Sequence, residues 1–142
     1  MSKPQSVRFD YPVKILVAWG EAISGNREIR DWLMKNGYAE LGIFTFALRN
    51  KDEATAWLMN NNFPHLVALI NGIEGNPQAI QWLVQHNFSS LKDMALAADH
   101  NEHATMHLMK NDKLLAMLAL KMRAVKDQID QDNNDVHKIS PD

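Results

Sequence analysis

A phrase that returns four times narrows what this chain can fold into more than any other feature. "DWLMKNG" at 31–37 comes back as "AWLMNNN" at 56–62, "QWLVQHN" at 81–87 and "MHLMKND" at 106–112. Trp32, Trp57, Trp82 and His107 are each 25 residues apart, and Leu33, Leu58, Leu83 and Leu108 follow them. A fixed period of this length marks a stack of identical small units, none of which can bury its own apolar face alone. Divided as 13–37, 38–62, 63–87 and 88–112, the units align without a gap and bring Leu16, Leu41, Leu66 and Leu91 into one column.

The columns fix the secondary structure. Trp19, Phe44, Leu69 and Met94 lie three residues after those leucines, and the small residues Ala22, Ala47, Gly72 and Ala97 lie three further on. Apolar positions at i, i+3 and i+6 follow the helical period and not the strand period of two. In the second half of each unit Ile29, Trp32 and Leu33, or Ala54, Trp57 and Leu58, define another amphipathic helix, widened by Met34, Met59, Val84 and Met109. Gly25, Asn50 and Gly75 suit the left-handed residue that ends a helix, while Asn26, Asn76 and Asn101 suit N-caps and Pro77 a first helical position. The pairs at 36–37, 61–62, 86–87 and 111–112 supply a second stop. On a helical wheel the Trp position flanks the leucine at the centre of the apolar arc, which predicts a packed ring and not a ligand ladder.

Residues 113–131 begin like a fifth first helix but carry no Gly or Asn stop, which predicts a longer capping helix. Its stripe is Leu115, Leu118, Met122, Val125 and Ile129, a surface for self-association, and Lys121, Arg123, Lys126 and Asp127 are expected on its solvent side. Residues 132–142 read as a flexible, solvated tail, and Phe9 and Tyr11 are expected to fold back over the first unit. The predicted fold is all-α: one domain over 1–131, an α-solenoid of about four and a half 25-residue helix-turn-helix repeats with a C-terminal cap.

The second half of each unit resembles the second helix of the ankyrin repeat. "GNREIRDWLMKNG" at 25–37 has that motif's opening turn, acidic residue, Ile, leucine-type doublet and closing Asn-Gly, and "DHNEHATMHLMKND" at 99–112 is a looser copy. The unit here is 25 residues against about 33 in ankyrin, and the Thr-Pro-Leu-His opening of the ankyrin first helix is absent, "FPHL" at 63–66 being its distant echo. The resemblance therefore implies ankyrin-like helix pairs joined by short turns without β-hairpin fingers, and the role of a protein-binding scaffold.

Composition bounds the function. Fifteen basic residues against seventeen acidic ones give a formal charge of -2 with no basic stripe, which argues against nucleic acid as a partner. With no cysteine among 142 residues, disulfides, thiolate metal sites and cysteine nucleophiles are excluded. No apolar run is long enough to span a bilayer, and the start lacks the apolar core of a signal peptide, so no membrane partner and a cytoplasmic location are expected. No phosphate loop or nucleophile elbow is present, so no enzymatic activity and no cofactor are expected.

Two candidate sites remain. Phe46, Val67 and Leu96 on the first helices, edged by Arg49, Asn71, Glu74 and Lys92, are expected to form a concave groove for another protein or a peptide. Against it stands a small metal- or ligand-dependent protein built on His100, His103 and His107. His103 and His107 share a helix face at i,i+4, although Glu102 precedes the first of them and the metalloprotease order is missing.

Overall fold

The computed structural model describes residues 9–139. Among them the chain is all-helical, with nine helices and no strand: α1 (Val13–Ile23), α2 (Arg27–Lys35), α3 (Ala39–Leu48), α4 (Asp52–Asn60), α5 (Pro64–Ile73), α6 (Pro77–Gln85), α7 (Ser89–Ala98), α8 (Glu102–Asn111) and α9 (Lys113–Ile139). The 25-residue period in the sequence is matched by first helices α1, α3, α5 and α7, each followed by a second helix of nine or ten residues.

The turns between helices repeat as closely as the helices. Gly25, Asn50, Gly75 and His100 have positive φ, as do Gly37, Asn62 and Asn87 at the second stop. Glycine adopts this conformation without cost, asparagine tolerates it, and histidine does so with strain. After each such residue the next N–H donates back to the carbonyl five residues earlier, as Asn26 does to Glu21, Phe63 to Leu58 and Asn101 to Leu96. These bonds satisfy carbonyls that a helix end would otherwise leave orphaned. Asn26, Asn76 and Asn101 then cap the second helices through side-chain oxygens that accept from Ile29, from Gln78 and Ala79, and from Ala104. The last expected stop, at 111–112, ends α8 without a left-handed residue. Asp112 is extended, and its carboxylate accepts from Leu115 N, so α9 starts directly after α8.

Burial follows the columns. Leu33, Leu58 and Leu83 are fully buried and Leu108 nearly so; Trp19, Phe44, Leu69 and Met94 are joined at the same register on α9 by Ala119, all at 0% exposure. The first helices pack in sequence, α1 on α3, α3 on α5, α5 on α7 and α7 on α9, and α9 returns to α1, which closes the circuit around that core column. Gly20 allows the closure, because a Cβ there would meet Leu118 Cδ2 at 3.2 Å and the Lys121 side chain at 3.3 Å. The second helices sit outside, each between two consecutive first helices: α2 against α1 and α3, α4 against α3 and α5, α6 against α5 and α7, α8 against α7 and α9.

Two expectations for the C-terminal helix change. It runs on to Ile139 instead of giving way to a flexible tail at 132, with Asp132, Asn133 and Asn134 exposed on it and residues 140–142 outside the described residues. Its basic side chains also turn inward. Arg123 donates to Ala97 O at 2.6 and 3.1 Å and to Thr105 Oγ1 at 2.9 Å, Lys126 donates to Leu48 O at 3.1 Å and Glu74 Oε1 at 2.6 Å, and Lys121 donates to Ser24 Oγ at 3.1 Å. The C-terminal ends of α3 and α7, where carbonyls are unpaired and the helix dipole is negative, thus receive cations from α9. Arg49 does the same for α1, donating to Ile23 O at 3.2 Å. At the other end Phe9 lies 5.8 Å from Trp19, and Tyr11 packs on Tyr38 and donates to Glu40 Oε2 at 2.7 Å. Burial, and then Glu40 as acceptor and as charge, push the Tyr11 hydroxyl well above the usual phenol range.

Candidate functional site

The residues expected to form one concave groove differ in exposure and in their partners. Val67 is buried at 8% exposure, Phe46 and Leu96 are half-buried, and Asn71 is exposed. Phe46 lies under the Arg30 guanidinium, 4.5 Å from ring centroid to Cζ, and lines a cavity of about 610 Å³ with Ile43, Trp57 and the start of α4. Arg49 is engaged with Ile23 O, Lys92 pairs with Asp93 at 2.9 Å, and Glu74 is held by Lys126 in a separate polar cleft of about 340 Å³ shared with Asp99 and Asp127. The inward column of the first helices is filled by its own side chains, and α9 reaches the C-terminal ends of α3 and α7.

The stripe expected to drive self-association is likewise internal. Leu115, Leu118, Met122 and Val125 are buried at 7%, 0%, 0% and 6% exposure, and Ile129 is half-buried against the same core. These side chains are used within the chain, where α9 packs on α7, α8 and α1.

The histidines of the fourth unit do not converge. His100 Nε2 is 2.8 Å from Asp127 Oδ1, His107 Nε2 is 3.8 Å from Asp93 Oδ2, and His103 is exposed. Among the described residues no three His, Cys, Asp or Glu side chains are placed to hold one metal ion.

The aromatic columns settle into pairs. Trp57 stacks on Phe63 and Trp82 on Phe88, each with centroids 6.0 Å apart and planes 6° apart, so a second helix is pinned to the first residue of the unit after it. Trp32 and His107 lack such a partner and remain exposed. Between the two stacks lies His65, which sequence reasoning missed because its column otherwise holds Ile15, Glu40 and Ser90. His65 is fully buried, stacks on Phe88 at 4.9 Å, and has no hydrogen-bond partner at either ring nitrogen. Burial pushes its pKa down to about 4, so the ring is neutral near pH 7.

Another opening, largely apolar, lies on the outer side of α9. A groove of about 500 Å³ is floored by Ala116, Met117, Leu120 and Ala124, walled by Met109 of α8 and Ser24 of α1, and edged by Lys113 and Lys121. Met109 and Leu120 are exposed at 52% and 37%. On α1, Val13 and Val17 are exposed at 68% and 43%. The lining of the groove is apolar, with Lys113 and Lys121 as its ionic groups.

No helix among the described residues is long and apolar enough to cross a membrane. Comparison with protein-family models, with curated proteins and with solved structures finds no match.

Proposed function

We propose that the chain is a non-enzymatic scaffold that binds another protein, and that its four 25-residue helix pairs are the units of an ankyrin-like α-solenoid closed on itself by α9. The observation that carries the reading is the apolar groove on α9, where Met109 and Leu120 are exposed beside the half-buried Met117. Contiguous exposed apolar surface of this kind marks binding sites in soluble proteins. The expected site thereby moves from the concave row around Phe46 and Leu96 to the outer face of the closing helix. A cytoplasmic location belongs to the same reading.

A photo-reactive phenylalanine analogue placed at Leu120, and separately at the exposed Gln81 on α6, tests this in the source cell. Adducts with another protein, concentrated at position 120, are the expected result. Adducts no more frequent at position 120 than at position 81 would overturn the proposal.

A further inference from the structure

Six aromatic rings follow one another through the third unit and into its neighbours. Trp57 of α4 stacks on Phe63, Phe63 closes obliquely on His65 at 6.1 Å, and His65 lies flat on Phe88 at 4.9 Å and 9°. Phe88 in turn stacks on Trp82 of α6, and Trp82 on His86 at 4.0 Å. The run crosses the seam where the N-terminal ends of α5 and α7 meet, because Phe63 and Phe88 are the N-cap residues of those helices. Of the six rings His65 alone is at 0% exposure, and neither of its nitrogens finds a hydrogen-bond partner.

The two ends of α5 and α7 are held by different chemistry. At their C-terminal ends α9 supplies cations: Lys126 donates to Glu74 Oε1 at 2.6 Å, just after α5, and Arg123 to Ala97 O in the last turn of α7. At their N-terminal ends they meet through the rings. A proton on His65 would place an unpaired charge in that apolar stack, within the first turn of α5, where the helix dipole is already positive. No neighbour compensates it. α5 and α6 carry no Asp, Glu, Lys or Arg, and α4 carries Asp52 and Glu53 in the turn remote from Phe63. α7 carries Lys92 and Asp93, paired at 2.9 Å; α3 carries Glu40, which accepts from Tyr11. The exposed His86 is separated from His65 by Trp82 and Phe88.

We propose that this seam is an acid-operated hinge: when the His65 imidazole takes up a proton from solvent, the N-terminal ends of α5 and α7 part and uncover the stacked rings, while α9 keeps their C-terminal ends in place. The sign follows from burial, which lowers the folded value to about 4 from an ordinary 6.5. Above that ordinary value the closed seam has its full stability. As pH falls, the open form gains on it by at most about tenfold per pH unit for one proton, until the closed form is protonated as well.

Amide hydrogen exchange of the full chain, read peptide by peptide and corrected for its intrinsic pH dependence, tests the hinge. Residues 63–69 and 86–92 are expected to open more often than residues 115–122 of α9 by about tenfold or more, as a sub-global opening does. Their opening constant is expected to rise about twentyfold from pH 7 to pH 5. His65→Phe keeps a ring in the seat and is expected to abolish that rise. His65→Leu does the same if phenylalanine overfills the seat, and circular dichroism identifies the variant that keeps the parent fold. In the unaltered chain, the His65 ring proton resonance is expected not to titrate above pH 5. An undiminished rise in the folded variant, equal opening constants in the hinge and in α9, or a His65 resonance titrating near its ordinary value overturns the proposal.

Discussion

His65 shows what a repeat cannot tell about a single residue. The period places it inside the first turn of α5, and nothing in Ile15, Glu40 or Ser90 at equivalent positions announces a buried imidazole. Its burial is set by Phe63 and Phe88, which come from two different units and enclose the ring without offering it a hydrogen bond. Because the folded pKa lies near 4, against about 6.5 unfolded, the unfolded chain takes up a proton that the folded chain refuses between those values. The contribution of His65 to stability is therefore intact above pH 6.5 and lost as pH falls towards 4, by an amount on the order of 3 kcal/mol. Urea unfolding at pH 7.5 and pH 4.5 of the parent and of His65→Leu checks this. The parent is expected to lose more stability than the variant on acidification, and equal losses would show that the ring is hydrated in the fold. The Trp column was more legible than His65, since its spacing and its flank position are visible in one chain; which Trp is covered was not, because that depends on the aromatic residue opening the following unit.

Among the elements, the eight shorter helices were readable with their turns, since every cap used to place them is a local interaction within five residues. The N-caps at Asn26, Asn76 and Asn101 and the left-handed Gly25, Asn50 and Gly75 form as their chemistry dictates. The long α9 was read wrongly on one face because its basic residues look solvent-directed until the ends of α3 and α7 are brought to them. Arg123 reaches across 26 residues to Ala97, and Lys126 across 78 to Leu48. Arg123→Met is expected to lower stability by about 1.5–3 kcal/mol, the range for hydrogen bonds involving a charged group, with Arg123→Lys intermediate. Chemical denaturation at neutral pH measures it. A methionine variant as stable as the parent would show that water replaces the guanidinium at the end of α7.

For the whole molecule, the decisive step is the return of α9 to α1. In an open stack each unit touches its neighbours alone, and removing residues 63–87 leaves a shorter folded stack. In the closed circuit the same deletion removes α5 and α6 and with them Glu74, while bringing α4 up to α7 and changing the angle through which α9 must reach Gly20 and Ser24. The deleted chain is therefore expected to keep helicity but lose the sharp, single melting transition of the parent. A deletion product melting as cooperatively as the parent would show that stacking between neighbours suffices. This closure was not legible in the sequence, because it joins Ser24 to Lys121, 97 residues away, through a glycine whose column otherwise holds Thr45, Ile70, Ala95 and Leu120.

The core column that the five first helices turn inward runs Trp19, Phe44, Leu69, Met94, Ala119, a series of unequal sizes. Each seat around the axis is consequently cut for its own occupant, and the units have an address as well as a pattern. Two tryptophans would overfill the centre and two alanines would leave it hollow, so copies cannot be shuffled or added as in an open array. On the closed-solenoid reading proposed above, the chain has the look of a repeat and the fixed stoichiometry of a wheel with five numbered spokes.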